Sequence, residues 1–363
     1  MTRKHFIQWA LFAFLLLGLA GFAHAKTPGM TTKPGESPLA FQSGDYKVTP
    51  VLDIYAELRH QMFSNEQSDD LHEFRLSRAH LGFRALGTSA RAAVILEAEH
   101  SAGGGAQMGL AGDSIIARFR EASAGLHWNP WLIMEAGLIR SALVDALLSG
   151  WKLRPLAPVA LEQEGLYAPA DLGARAIGYL PQDFGEVSFS ITNGEGYDSR
   201  ELNNGKNLET VVRIRPLASI DGGKPLEFIL GYVNGSKGSA GVLTNRLVAG
   251  AQWDTPRLGI GANWALVQGI QLNGEQEGHL LTSYIRGEPV EQWIVATRLL
   301  QFQRNTADKD DSILRAQCAT GWRFASPVTL LVSGERSLPG ETTKEAQPDT
   351  DKWVIRTILS ARF

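Results

Sequence analysis

The chain has 363 residues, of which 44% are hydrophobic and 20% charged, and its formal net charge is −3 at pH 7. A slightly acidic balance of this kind argues against a nucleic-acid binder, which would carry clustered basic charge. Cys318 is the only cysteine, so the sequence excludes an intramolecular disulfide and a zinc site built on cysteines.

Residues 1–25 have the pattern of a secretory signal peptide. Arg3 and Lys4 form a positive start, and an almost uncharged apolar run leads to Ala-His-Ala at residues 23–25. We predict that this segment is removed; a short membrane anchor is the alternative. The mature chain would then carry 33 basic residues (35 − 2) against 38 acidic ones, a net charge of about −5. Residues 26–45, rich in proline and glycine, are expected to be a flexible periplasmic segment.

The mature chain is dominated by short segments in which apolar and polar residues alternate. In residues 89–100, Val94 and Leu96 fall on one face, whereas Arg91 and Glu97 fall on the other. Such alternation predicts a strand with one apolar and one polar face. Most segments are long enough to cross a bilayer as tilted strands. The sixteen candidate strands are residues 47–61, 72–86, 89–100, 114–128, 131–140, 172–180, 184–192, 208–216, 226–234, 244–254, 257–267, 279–287, 290–302, 312–324, 327–336 and 352–363.

The connections between these strands alternate between short turns and long loops. Residues 87–88, 129–130 and 255–256 are short turns, whereas residues 141–171 form a long connection. Short turns at one end and long loops at the other are typical of outer-membrane barrels, in which the turns are periplasmic and the loops extracellular. A soluble β-sandwich is the alternative, because its strands would alternate as well.

Aromatic residues near the strand ends favour the barrel over the sandwich. Trp253, Trp293 and Trp322 lie on apolar faces close to strand ends, as in the aromatic girdles of membrane barrels. We therefore predict an all-β fold, a transmembrane antiparallel β-barrel of 16 strands that covers residues 46–363. The last strand ends in Phe363, which resembles the signal read by the barrel-assembly machinery of the bacterial outer membrane.

Four segments of the mature chain form a recognisable series. They are HEFRLSRAHLGFRALG (72–87), EAGLIRSAL (135–143), PADLGARAIGYL (169–180) and TNGEGYDSRELNNGKNLETVVRIRPL (192–217). In this order and spacing they resemble the phosphate-selective porin O and P family. The resemblance implies a homotrimer of 16-stranded barrels that passes anions across the outer membrane of a Gram-negative bacterium. The best-known members also use a cluster of pore lysines that this chain lacks, so phosphate preference does not follow.

If alternate residues of each strand face a lumen, basic side chains outnumber acidic ones there. Parity places these arginines inward: Arg59, Arg78, Arg84, Arg91, Arg118, Arg120, Arg213, Arg215, Arg246, Arg298, Arg315, Arg323 and Arg356. It also places Asp53, Glu57, Glu97, Glu99, Glu135 and Glu209 inward. A basic lumen attracts anions, because the charges that line a pore set its selectivity. For any single arginine, pairing with a carboxylate on a neighbouring strand is the alternative.

Residues 141–171 are unusually apolar for an exposed loop, and side chains such as Leu147 and Trp151 need burial. General porins fold the corresponding loop into the barrel, so we predict that this loop narrows the lumen. The charged residues that it would bring to the constriction are Asp145, Lys152, Arg154 and Glu162. A contact between subunits is the alternative way of burying the loop.

The stretch ITNGEGYDSRELNNGK, residues 191–206, is rich in glycine and asparagine. A strand follows it rather than a helix, which argues against a phosphate-binding loop, and the acidic spacing of an EF-hand is absent. Turns are the favoured interpretation. Weak binding of calcium, or of a cation that bridges to lipopolysaccharide, by Glu195, Asp198 and Glu201 is the alternative.

The sequence thus predicts a passive outer-membrane channel that prefers small anions and is surrounded by lipid and lipopolysaccharide. A non-conducting barrel that serves as adhesin, receptor or structural anchor is the alternative, although residues 26–45 are too short for a plug. An enzyme is disfavoured, because no Gly-x-Ser-x-Gly motif occurs and no histidine pair has metal-ligand spacing. We expect no cofactor, no metal site and no nucleic-acid partner.

Overall fold

The computed structural model describes residues 40–64, 68–100, 115–220, 225–238, 241–270, 276–325 and 327–363. Within these ranges, sixteen long strands form one antiparallel sheet that closes into a barrel, which confirms the predicted all-β fold. The predicted signal peptide and most of the proposed flexible segment lie outside the described residues.

The strands follow one another around the barrel in chain order. They are β1 (Tyr46–Phe63), β2 (Leu71–Leu86), β3 (Ala90–His100), β4 (Ile115–Asn129), β5 (Leu132–Arg140), β6 (Ala170–Leu180), β7 (Gly185–Thr192), β8 (Asn207–Ile214), β9 (Leu226–Asn234), β10 (Arg246–Asp254), β11 (Leu258–Gln268), β12 (Glu277–Val290), β13 (Trp293–Gln303), β14 (Ser312–Ala325), β15 (Val328–Pro339) and β16 (Lys352–Arg362). Their ends differ from the predicted ones by no more than three residues.

The barrel closes because β16 pairs with β1 along most of its length. At the end of this seam the backbone N–H of Phe363 donates a hydrogen bond to the carbonyl of Leu52, at 2.9 Å. Each of the long strands described therefore has a hydrogen-bonded neighbour on both sides, as full closure requires. A short strand, Phe41–Ser43, adds to the start of β1.

The outward face of the barrel is apolar and exposed. In β9 the outward Phe228 and Leu230 are 47% and 51% exposed, whereas the inward Ile229 and Val233 are buried. An exposed apolar band of this extent suits hydrocarbon rather than water. Five of the exposed tryptophans lie near the short turns: Trp128, Trp131, Trp253, Trp293 and Trp322. Their position matches the aromatic girdle of a membrane interface.

Short turns and long loops alternate around the barrel, except that residues 215–225 form a long connection between β8 and β9 at the short-turn end. The turn between β12 and β13 spans residues 291–292, whereas the connection between β5 and β6 runs from residue 141 to 169. The final long loop contains a short helix, Glu341–Ala346. Among the described residues, no helix has the length and apolar character needed to cross a membrane.

The connection between β5 and β6, which we call the inner loop, lies inside the barrel. It contains α1 (Ala142–Trp151) and α2 (Ala160–Gln163). Leu143 and Leu147 of α1 are buried against the inward apolar side chains of β8 to β13. The hydrophobic core of the protein is therefore the interface between this loop and one side of the barrel wall.

Candidate pore constriction

Glu209 on β8 holds the start of the inner loop against the barrel wall. Its buried carboxylate accepts hydrogen bonds from the N–H groups of Ala142 (3.0 Å) and Leu143 (3.4 Å) and from the Ser141 hydroxyl (2.8 Å). A helix N-terminus leaves such N–H groups without internal partners, and the helix dipole favours a negative charge there. Glu209 therefore caps α1 from the barrel wall.

The rest of the inner loop is tied to strands β8 to β14 by polar contacts. They join Ser149 to Arg213 (3.1 Å) and Gln252 (2.9 Å), Lys152 to Asp254, the Leu166 carbonyl to Arg246 (3.1 Å), the Pro158 carbonyl to Arg298 (2.6 Å), and Glu164 to Arg315 (2.9 Å). The loop thus covers one side of the lumen. The space that remains lies between residues 152–158 and the opposite wall.

Two cavities occupy this remaining space, and Pro155 lines both. The outer cavity, of about 240 Å³, lies toward the long-loop end and is lined by five arginines and two glutamates: Arg59, Arg75, Arg78, Arg154, Arg356, Glu57 and Glu335. The inner cavity, of about 610 Å³, lies toward the short turns and is lined by five basic and two acidic residues: Arg84, Lys152, Arg286, Arg323, Arg362, Asp53 and Glu288. Basic residues predominate on both sides of the loop.

A fully buried carboxylate, Glu97 on β3, organises the wall that faces the inner loop. It lies 3.0 Å from Arg78 Nε and 2.9 Å from Arg120 Nη1. His80 Nε2 lies 3.1 Å away, and the hydroxyl of Tyr197 donates to the carboxylate at 2.5 Å. Charge-assisted hydrogen bonds of this kind fix both partners, so Glu97 sets where these guanidinium groups stand.

Most of the arginines that parity placed inward are paired with carboxylates on the wall. The pairs are Arg59 with Glu73, Arg118 with Glu99, Arg91 with Glu135, Arg84 with Glu121, Arg213 and Arg215 with Glu227, Arg315 and Arg356 with Glu335, and Arg323 with Glu288. Arg175, which was not among the arginines predicted to point inward, also pairs with Glu135. Arg246 and Arg298 donate instead to carbonyls of the inner loop. Pairing reduces the free positive charge of the lumen without removing it.

Two β-bulges explain lumen residues that strict alternation misses. Tyr55 pairs with Arg78 and Ala56 with Leu76, so Ser77 is an extra residue and Arg75 points inward. An equivalent irregularity near Arg120 turns Glu121 inward, where it pairs with Arg84. Further inward acids that the sequence interpretation left out are Glu186, Glu227, Glu288 and Glu335. Further inward basic residues that it left out are Arg75, Arg175, Arg286 and Arg362, so the lumen carries more charge of both signs than the sequence suggests.

Arg154 is an incompletely paired basic residue beside Pro155, where the two cavities meet. Its side chain is 9% exposed and pairs with Glu162, but its Nε and Nη1 atoms have no hydrogen-bond partner among the described residues. Burial, reinforced by the nearby Arg120, lowers the pKa of Arg154 to about 10, so it stays positively charged at neutral pH. Unpartnered buried donors are rare because they are costly.

The other predicted loop residues stand in different surroundings. Lys152 lines the inner cavity and pairs with Asp254. Asp145 pairs with Arg140 at the start of α1 and lines neither cavity. Of the four predicted residues, Arg154 and Glu162 are therefore the pair that meets the arginines of the outer cavity.

The glycine-rich stretch that ends in residue 206 sends one side chain into the barrel, Tyr197. The guanidinium carbon of Arg118 lies 4.6 Å from the centre of the Tyr197 ring, a cation–π contact. Gly194 and Gly196 adopt positive φ (107° and 92°), which confirms turn-type backbone there. An aromatic residue inside a glycine-rich loop is the signal that would have revealed Tyr197.

The three acidic residues of that stretch bind separate partners. Glu195 accepts from Asn203 (3.0 Å) and from the N–H of Gly238 (2.8 Å), whereas Asp198 lies 4.0 Å from Arg118. Glu201 lies 3.4 Å from Lys206 Nζ. No group of three or more His, Cys, Asp or Glu side chains in the described ranges is arranged to hold a metal ion.

Neither a family model nor a curated protein sequence matches this chain. Solved structures do: Salmonella typhi OmpF in complex with daunomycin has 14% identity and a TM-score of 0.65, covering 90% of this chain and 100% of that one. The anion-selective porin from Comamonas acidovorans has 10% identity and a TM-score of 0.62, covering 88% and 100%.

A third similar structure is the outer-membrane channel DcaP of Acinetobacter baumannii, with 10% identity and a TM-score of 0.59, covering 89% of this chain and 99% of that one. At such low identities the similarity establishes the fold, a porin-type barrel. Membership of the phosphate-selective porin O and P family stays a prediction.

Proposed function

We propose that this protein is an outer-membrane porin, a passive diffusion channel that prefers small anions. The observation that carries the proposal is Arg154, a buried and incompletely paired guanidinium beside Pro155, where the two cavities meet. A permeating anion must pass this charge. In a pore, charged side chains at the narrow part decide which ions enter.

The charge on either side of the inner loop supports the same preference. Both cavities carry more basic than acidic side chains, although the whole chain is slightly acidic. Walls of low dielectric focus such a field along the lumen and raise the local anion concentration. We propose as pore-lining residues Arg78, Arg84, Arg91, Arg118, Arg120, Arg215, Arg323 and Arg356, and we place Arg213, Arg246 and Arg315 on the part of the lumen wall that the inner loop covers.

The proposed setting is the outer membrane of a Gram-negative bacterium, reached after export by the signal peptide of residues 1–25. The apolar outward face would contact lipid and lipopolysaccharide, and Phe363 would engage the barrel-assembly machinery. A homotrimer is part of the proposal: the family resemblance implies it, and one structure of similar fold, OmpT of Vibrio cholerae, is described in a trimer form.

The test is the reversal potential of purified protein in planar bilayers under a KCl gradient. We expect discrete channel openings with a reversal potential displaced toward the chloride equilibrium potential. Displacement toward the potassium potential would refute anion preference. Absence of any conductance from folded protein would instead support the non-conducting barrel.

A further inference from the structure

The inner loop carries its own counter-ion for the arginines of the outer cavity, the carboxylate of Glu162. One of its oxygens contacts Arg154 and lies 3.5 Å from Nη1 of Arg78. Glu162 is only 10% exposed, and its second oxygen has no hydrogen-bond partner among the described residues. The carboxylate therefore neutralises part of the cluster but leaves donors and an acceptor unsatisfied.

Four side chains that line the outer cavity carry buried, unsatisfied donors just behind its surface. The donors are Nε and Nη1 of Arg154, Nε of Arg75, Nε of Arg59 and the hydroxyl of Ser77. Arg75 makes no ion pair in the part of the chain that the structure describes, although Glu57 lies opposite it on β1. A space of about 240 Å³ bordered by such groups has room for a small oxyanion.

We infer that Glu162 is a tethered competitor for Arg154 and Arg78, and that it sets how tightly the channel holds small divalent oxyanions. Glu162 shares these two guanidinium groups with any anion in the outer cavity. While the Glu162 carboxylate contacts Arg154 and Arg78, less positive charge is free to bind a passing anion. This inference rests on the proposed anion channel and adds a residue that determines its specificity.

The inference favours divalent over monovalent anions for a physical reason. A chloride ion that displaces Glu162 exchanges one negative charge for another and brings no additional acceptor. A divalent oxyanion brings a second charge and several oxygens, which can accept from the donors of Arg75, Ser77 and Arg154 that Glu162 does not reach. The competitor thus admits divalent anions without letting them bind so tightly that they cannot leave, which conduction requires.

The test is block of the chloride current by sulfate, a probe whose charge does not change near neutral pH. We expect Glu162→Gln, which keeps the shape of the side chain and removes its charge, to lower the half-blocking sulfate concentration about tenfold. The reversal potential in a KCl gradient should also move further toward the chloride potential.

Glu164→Gln is the matched control, because Glu164 lies two residues along the same loop and pairs with Arg315 on β14, the wall that holds the loop (2.9 Å). It removes the same charge without freeing Arg154 or Arg78, so sulfate block should change far less. Glu162→Asp keeps the competing charge, so its sulfate block should stay close to wild type. If sulfate blocked Glu162→Asp as strongly as it blocks Glu162→Gln, loop packing rather than charge would be responsible for the stronger block. The inference would then be overturned.

The outcomes separate the inference from the function that it assumes. A wild-type reversal potential displaced toward the potassium equilibrium potential would refute the proposed anion channel itself. An anion-preferring wild type whose sulfate block is the same in Glu162→Gln and Glu164→Gln leaves the channel intact and refutes the role of Glu162.

Discussion

Glu97 is the residue on which the arginines of one lumen wall converge, and its removal should destabilise the folded barrel. Its carboxylate is fully buried and meets Arg78 and Arg120 at 3.0 and 2.9 Å. Losing one partner of a buried ion pair leaves the other charges uncompensated, at a cost of about 3 kcal/mol. We expect Glu97→Gln to lower the free energy of unfolding by about this amount, measured by urea titration in detergent.

Glu73→Gln provides the comparison for Glu97→Gln. Among the described residues Glu73 pairs with Arg59 alone, and its side chain is 30% exposed. Partly solvated pairs contribute about 0–1 kcal/mol, so this variant should unfold close to wild type. Equal unfolding curves for the two variants would show that the Glu97 cluster is not a stabilising centre.

At single residues, the sequence predicted correctly whether a side chain faces the lumen or the lipid wherever the strand is regular. Strict alternation placed Glu97 and Arg213 on the wall that the structure assigns to the interior. It missed Arg75 and Glu121, because a bulge adds one residue and reverses the alternation beyond it. A bulge depends on pairing with a neighbouring strand, which a single strand's pattern does not contain.

At the scale of elements, the inner loop should act as the obstacle in the lumen. The position of the loop depends on Glu209, which accepts hydrogen bonds from the N–H groups at the N-terminus of α1. We expect deletion of residues 146–160 to raise the single-channel conductance, and Glu209→Ala to raise it less, because the point variant loosens the loop without removing it. Both effects are measured in planar bilayers in symmetrical KCl.

Glu186→Gln serves as control for Glu209→Ala. Glu186 pairs with Arg213 at 3.1 Å, and within the described residues no hydrogen bond or ion pair joins it to α1, so its loss should leave the inner loop in place and the conductance unchanged. Unchanged conductance after the deletion of 146–160 would show that the loop does not narrow the path.

The sequence predicted that the inner loop needs burial, since residues such as Leu147 and Trp151 are too apolar for a free loop. It did not predict which wall receives them. That choice depends on the inward apolar face of β8 to β13 and on the cap that Glu209 supplies. Such contacts join residues far apart in the chain, and no local pattern encodes them.

At the scale of the whole molecule, strand number and order follow from the sequence because each strand needs only alternation and adequate length. The balance of charge does not follow as directly. The chain as a whole is acidic, yet both cavities are lined mainly by basic side chains. Selectivity therefore depends on how charge is divided between lumen and surface, which is a property of the closed barrel.

This division of charge predicts how anion preference changes with salt. The electrostatic screening length falls from about 30 Å at 0.01 M salt to about 3 Å at 1 M salt. The field of the exposed charges that line the two cavities therefore weakens as the salt concentration rises. Buried Arg154 is screened less. Across tenfold KCl gradients of increasing concentration, we expect the reversal potential to stay on the chloride side while its displacement shrinks. Arg154→Gln should keep the anion preference in dilute salt and lose most of it in concentrated salt. A wild-type reversal potential whose displacement did not depend on salt would contradict this division between a long-range field and a local site.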